Sequence, residues 1–264
     1  MSENSRFAPS GNTENFAFVE EVKKAIEVFT REGAKTPSKF FKPSMMKCPR
    51  SMFFVGMGYE QAPGEIRYNW TNSADTGSRR HEGIQETLLK MTKDARFSWE
   101  YVDVAKYVEE MQKNGKCKGL RIGEQKGAET HLYHDELNLS FFCDGILRNK
   151  NTGEYYLFEF KNKKSEKFVK SAGSFPMEHY DQCVIYCTVL DLEKVFLLME
   201  DRNTLELACP ELFVVTKEMK DAMIKKIKNV LSCMEKNKVP AKPALTDYEL
   251  GCFFCPYQRY CVGS

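Results

Sequence analysis

Residues 137–161 read Leu-Asn-Leu-Ser-Phe-Phe-Cys-Asp-Gly-Ile-Leu (137–147), Arg-Asn-Lys-Asn-Thr-Gly (148–153) and Glu-Tyr-Tyr-Leu-Phe-Glu-Phe-Lys (154–161). Apolar and aromatic residues fill the two outer stretches, and Asn149 to Gly153 is turn chemistry. The segment therefore predicts a β-hairpin with strands over 137–147 and 154–161. Side chains alternate faces along a strand, so Glu159 and Lys161 share one face and Phe158 and Phe160 take the other, expected to be the core side. Asp144 stands near the end of the first strand. A Glu and a Lys inside an apolar strand are costly to bury without partners. A divalent cation would supply one: Asp144 and Glu159 offer hard oxygen ligands suited to Mg²⁺ or Mn²⁺, and Lys161 could orient or deprotonate an attacking water. The competing reading is an edge strand with a solvated Glu–Lys pair. That reading prevails for an isolated Glu-x-Lys; the aspartate on the preceding strand brings the metal reading level with it.

Outward from the hairpin, the chain predicts helices on both sides. Phe16 to Phe29 carries apolar residues at helical spacing. A short helix follows Ser44 and carries Met45, Met46 and Cys48. A further helix starts near Asp75 or Ser78, runs through Met91 and carries His81, whose neutral imidazole is an additional ligand type for Mn²⁺-like metals. Residues 95–121 are ambiguous between strand and helix. After the hairpin come a helix over about 177–190, a strand over 194–199, a short strand at 212–215, an amphipathic helix over 217–234 and a loop-like tail from Pro240. On the first of these helices Gln182 and Tyr186 stand four apart and share a face, where both could hydrogen-bond phosphate or base edges. Helices flanking a small sheet with a central hairpin give an α/β class.

With 264 residues, 42% hydrophobic and 29% charged, the composition is globular. The net charge of +2 restricts any nucleic-acid face to a local patch. Arg79, Arg80, Lys163, Lys164 and Lys167 lie near the motifs as phosphate contacts or as solvated surface, with at least half expected to be surface. No apolar run approaches the roughly 20 residues that span a bilayer. The polar residues 1–15 lack the apolar core of a signal peptide and read as a disordered lead-in. A reducing cytoplasm is expected. No phosphate-binding loop of the G-x-x-x-x-G-K-[ST] type occurs.

Ten cysteines in such a chain point to metal ligands or buried small hydrophobes rather than disulfides. The tail holds Cys252, Cys255 and Cys261, one thiolate short of closing a cubane cluster or a structural Zn²⁺ site. Cys48, ahead of Pro49-Arg50, is the candidate fourth ligand and would clamp the two ends of the chain together. Spacing alone does not choose iron over zinc. Cys117, Cys143, Cys183, Cys187, Cys209 and Cys233 lack ligand spacing and read as packing residues.

In chain order these features are a Cys followed by Pro-Arg, a His on an early helix, Asp then Glu-x-Lys on a hairpin, Gln-x-x-x-Tyr on the next helix and C-x₂-C-x₅-C at the end. The set resembles the RecB-type branch of the PD-(D/E)xK nucleases, and within it the CRISPR-associated iron–sulfur exonucleases and their phage relatives. The resemblance runs from Cys48 to Cys261. It implies a restriction-endonuclease-like core, a small mixed sheet flanked by helices, over about 75–216. This would form one nuclease domain over 16–264 with an iron–sulfur region made by Cys48 and residues 240–264. It implies cleavage of DNA, commonly single-stranded, from an end, in recombination, repair or CRISPR spacer processing, alongside recombination or CRISPR adaptation proteins. It implies Mg²⁺ or Mn²⁺ held by His81, Asp144, Glu159 and the backbone carbonyl of Phe160, with Lys161 as catalytic lysine and Gln182 and Tyr186 contacting the strand and supporting the site. It implies a [4Fe–4S] cluster on Cys48, Cys252, Cys255 and Cys261. Two departures stand out: Cys143 occupies the usual Pro position before Asp144, and residues 95–136 stand as additional sequence. The alternative is a non-cleaving nucleic-acid- or partner-binding module on the same fold.

Overall fold

The computed structural model describes residues 13–32, 38–62, 67–171 and 173–261. Helix α1 (Thr13–Glu32) begins ahead of its predicted start. Residues 13–15, read as part of a disordered lead-in, belong to its first turn; residues 1–12 lie outside the described residues. Polarity misleads there, because polar residue types are common in the first turn of a helix. The predicted helix after Ser44 is instead a 3₁₀ turn, Pro43–Met45, followed by α2 (Pro49–Gly56) with Cys48 as its N-cap. Helix α3 (Tyr68–Thr92) starts well before Asp75. Its first turns are short of apolar residues, and contacts with α1 hold them: the Tyr68 N–H donates to Glu27 Oε1 at 3.0 Å, and Lys23 lies over the Tyr68 ring.

The ambiguous stretch 95–121 resolves into β1 (Trp99–Val102), α4 (Val104–Lys113) and the start of β2 (Leu120–Lys126), and β3 (Glu129–His134) follows it. The predicted strand 137–147 proves to be two. Asp135–Leu137 forms a 3₁₀ turn closed by Asn138 in the left-handed region (φ 50°), a conformation that Asn tolerates. β4 (Leu139–Cys143) then pairs with β3, whereas β5 (Gly145–Asn149) pairs with β1 and with β6 (Tyr155–Lys163). The chain therefore changes sheets at Asp144. Gly145 permits this: a Cβ there would sit 2.4 Å from the Tyr101 ring. The predicted turn is present, with Asn149 Oδ1 accepting from the Asn151 N–H and Gly153 at φ 75°.

After β6 come α5 (Ser165–Ser171), α6 (Tyr180–Val189), β7 (Lys194–Asp201), β8 (Leu207–Ala208), β9 (Phe213–Val214) and α7 (Lys217–Glu235). The tail, expected to be loop, carries α8 (Asp247–Leu250), a 3₁₀ turn at Cys252–Phe254 and α9 (Gln258–Cys261). One sheet has six strands in the order β1-β5-β6-β7-β8, with β9 also on β7; the other is β2-β3-β4. β6 and β7 run parallel through the α6 crossover, and the other pairs are antiparallel, so the molecule is mixed α/β.

The central strand β6 is covered on both faces. Phe158 and Phe160, expected on the core side, join Tyr101 and Leu147 in a small cluster beneath α3. Leu157 faces the larger core, among Ile146, Val195 and the residues of α6. Glu159, which shares that face with Leu157, is thus fully buried. Helix α6 is apolar around its circumference because it is packed between the sheet and α7; Cys183 and Cys187 are buried in it. Cys209, read as a packing residue, is exposed: it follows the two-residue edge strand β8, which has nothing beyond it to pack against.

Candidate metal centre and thiol cavity

The break between β4 and β5 builds the site. Gln85, one turn beyond His81 on α3, donates to the Asp144 carbonyl at 2.8 Å, and the Tyr101 hydroxyl donates to the same oxygen at 2.7 Å. The backbone is thereby fixed with the Asp144 side chain directed at β6, where Oδ2 accepts the Phe160 N–H at 2.9 Å. A strand residue sends its N–H and C=O to the same edge, so the Phe160 carbonyl faces this space too. His81 stacks on the Phe160 ring at 5.8 Å between centroids, with Nε2 3.3 Å from Asp144 Oδ2 and Nδ1 3.2 Å from Glu129 Oε1. On the next register position Lys161 bonds Glu159 Oε1. Gln182 donates to the same oxygen at 2.8 Å and to the Tyr186 hydroxyl at 3.3 Å, and Tyr186 donates to the Phe142 carbonyl at 3.2 Å.

The predicted residues thus form two adjoining networks on β6: His81, Asp144 and Phe160 in one, and Glu159, Lys161, Gln182 and Tyr186 in the other. Gln182 and Tyr186, expected to contact the strand and support the site, make the inward, supporting bonds: Gln182 holds the buried Glu159, and Tyr186 is itself buried on the Phe142 carbonyl. Of the basic candidates, Arg79 pairs with Asp75, Arg80 with the buried Glu200, and Lys163 is buried on Glu178; Lys164 and Lys167 are exposed.

Sequence reasoning missed Glu129, Gln85 and Tyr101. Glu129 comes from the second sheet, inside the stretch read as additional sequence. Gln85 had a signal, since it sits four residues from His81 on one helix face. Among the described residues, His81, Glu129 and Asp144 are the one group of three or more His, Cys, Asp or Glu whose ligand atoms all lie within 4.8 Å. Glu129 and Asp144 meet opposite ring nitrogens. We therefore read Glu129 as fixing the imidazole through Nδ1, which leaves Nε2 for a cation shared with Asp144.

The electrostatics show an excess of negative charge. Burial pushes the Glu159 carboxyl up to about 7, and the Asp144 charge adds to this against the pull of Lys161. Burial opposes ionisation of Asp144 as well, but the His81 bond, the His81 and Lys161 charges and the Phe160 N–H together hold it below the usual range. Burial raises Glu129, as does Asp144. The His81 pKa is raised by Asp144, Glu129 and Glu159 in spite of its burial. Two buried atoms, Glu159 Oε2 and His81 Nε2, have no aligned hydrogen-bond partner. Such orphans are expensive. Both belong to predicted ligands of a divalent cation; of that predicted set His81 and Asp144 come together, with Glu129, within 4.8 Å, and Glu159 stands outside that group. Carboxylates and an imidazole are donors suited to Mg²⁺ or Mn²⁺.

A second assembly joins the two ends of the described chain. Cys48, Cys252, Cys255 and Cys261 line one cavity of about 400 Å³. Arg50 reaches across it, donating to the Pro240 carbonyl at 2.9 Å and to the Cys261 carbonyl at 3.4 Å. Phe54 of α2 packs on Tyr257 and Tyr260 of the tail, and Gln61 donates to the Tyr257 hydroxyl. The tail is thus held by protein contacts as well as by any group between the thiols. No disulfide joins the cysteines.

No protein-family model and no curated protein matches the chain. Among solved structures, the crystal structure of SSO0001 is similar, with a TM-score of 0.47 at 13% identity over 92% of this chain and 96% of that one. No described helix is long and apolar enough to cross a membrane.

Proposed function

We propose that the chain is a metal-dependent deoxyribonuclease with a PD-(D/E)xK core of the RecB type. It acts on DNA ends, preferentially single-stranded, in recombination, repair or CRISPR spacer processing. The observation that carries the reading is the fully buried Glu159, with an orphaned oxygen, beside Asp144 and the unaligned His81 Nε2. Lys161 and Gln182 share one oxygen of that carboxylate, and the other is left for a cation. His81, Asp144, Glu159 and the Phe160 carbonyl would hold Mg²⁺ or Mn²⁺, which supplies Lewis-acid polarisation of a phosphodiester. Lys161, fixed by Glu159, keeps its proton at neutral pH: burial disfavours the charge, but the Glu159 and Asp144 carboxylates outweigh it. It therefore serves to position the attacking water and to stabilise the charge that develops on the phosphate. Gln182 and Tyr186 keep Glu159 aimed.

We further propose a [4Fe–4S] cluster on Cys48, Cys252, Cys255 and Cys261. The four thiols lining one cavity support this reading, and the group would tie the tail to α2.

The test is digestion of end-labelled single- and double-stranded DNA by anaerobically purified protein, with Mn²⁺ against EDTA, alongside Glu159→Ala and Lys161→Ala. Mn²⁺-dependent cleavage that both substitutions abolish is expected. Wild-type cleavage in either variant would remove the assignment, and DNA binding without cleavage would leave a non-cutting module. A brown protein carries iron–sulfur; a colourless, zinc-containing one refutes the cluster.

A further inference from the structure

A cavity of about 380 Å³ opens beside Lys161, lined by Ser73, Asn162, Lys163, Lys164, Lys167, Glu178, His179 and Arg202. Its lining is rich in positive charge. Lys161 is matched by Glu159 and Lys163 by Glu178. Lys164, Lys167 and Arg202 form no ion pair with a described carboxylate. Arg202 is nevertheless held rigidly: Nε donates to Asn162 Oδ1 at 2.7 Å, Nη2 to the Asn162 carbonyl at 3.3 Å, and Nη1 bonds Ser73 Oγ on α3. Neutral partners orient the guanidinium and leave its charge uncompensated. His179 stands in the same wall, where burial first, and then the charges of Lys161 and Lys163, push its imidazole down to about 4, so it adds no compensating or competing charge at neutral pH. Neighbouring arginines differ, since Arg80 is neutralised by Glu200 and Arg79 by Asp75. In a chain of net charge +2 this is a concentrated positive site.

We propose that this cavity is a phosphate subsite for the substrate strand, in which Lys164, Lys167 and the fixed Arg202 grip a phosphate near the one being cleaved. The inference rests on the nuclease reading and names where the strand leaves the metal centre. Lys161 is common to both sites, so a strand phosphate at the metal has its neighbour within reach of the cavity mouth. Ser73 and His81 share α3, about 12 Å apart along its axis at 1.5 Å per residue, which places the subsite a short step along a strand. The occupant is a phosphate of the strand, either internal or terminal.

The experiment uses the full chain with Asp144→Asn, so that bound DNA is not consumed. Binding of a fluorescent single strand is titrated at several salt concentrations for this protein alone and with Lys164→Gln plus Lys167→Gln. A control carries Lys225→Gln plus Lys228→Gln, an equal charge change on α7. For a single strand, the slope of log K against log salt falls by about 0.7 for every phosphate that is no longer neutralised. The cavity pair should weaken binding about tenfold and reduce the slope by about 0.7, and the α7 pair should do neither. Unchanged affinity and slope, or the same weakening from the α7 pair, overturns the subsite. If the Asp144→Asn protein and the active protein in EDTA both fail to bind DNA, the nuclease reading itself fails, which is a different result. Strands with a 5′-phosphate, with a 5′-hydroxyl and in circular form separate the occupants. Weakening confined to the phosphorylated end marks a terminal phosphate, and equal weakening for circles marks an internal one; either supports the subsite.

Discussion

Adding a divalent cation should stabilise this protein by an amount that grows with pH. In the metal-free fold Glu159 keeps its proton up to about pH 7, against an ordinary value of 4.5. Between those values the folded chain binds more protons than the unfolded one, so its stability falls as pH rises and the loss is complete above 7. At 1.36 kcal/mol per pKa unit this amounts to about 3 kcal/mol. A bound cation takes the proton's place. At pH 5 it must displace that proton and competes about 100-fold less well than at pH 8, a difference of about 2.7 kcal/mol. For a chain of this length that is about 6 °C in Tm. His81, whose pKa is also raised, acts in the same direction. The assay is thermal unfolding at pH 5, 6, 7 and 8 in EDTA and in saturating Mn²⁺, for wild type and Glu159→Gln. The Mn²⁺-induced rise in Tm should be several degrees larger at pH 8 than at pH 5, and most of that difference should vanish in Glu159→Gln. An increment independent of pH, or one that Glu159→Gln leaves whole, would refute the claim that Glu159 is a buried ligand waiting for a cation.

Glu129→Gln should lower Mn²⁺ affinity about 10- to 100-fold by calorimetry while the fold persists, because His81 loses the carboxylate that orients its ring. Gln182→Ala removes one of the two hydrogen bonds to Glu159 Oε1; kcat should fall by about tenfold with KM little changed. Gly145→Ala drives a methyl into the Tyr101 ring, and chemical denaturation should show a loss of about 1–3 kcal/mol. Cys252→Ser should bleach the brown colour and loosen the tail, read as faster proteolysis after residue 240 with the nuclease core intact.

The sequence determined the local facts. Period-2 patterning and the Asn-Lys-Asn-Thr-Gly turn placed β6 and the turn before it, 3.6-residue spacing placed α1 and α7, and alternation alone put Glu159 and Lys161 on one face. Those signals act between residues a few positions apart, so one sequence suffices to read them. Tertiary structure decided what spans the chain. It split 137–147 between two sheets at Asp144, because Asn138 and Gly145 allow bends whose value depends on Tyr101, Gln85 and β3 being in place. It brought Glu129 to His81 from a strand read as additional sequence, and it buried both faces of β6, so the face of Glu159 and Lys161 meets the larger core and the solvated edge-strand reading falls. It also turned Gln182 and Tyr186 inward and left Arg202, unremarked in the sequence, facing a cavity with its charge unmatched. Burial and charge compensation depend on what packs from elsewhere, and no local period records that.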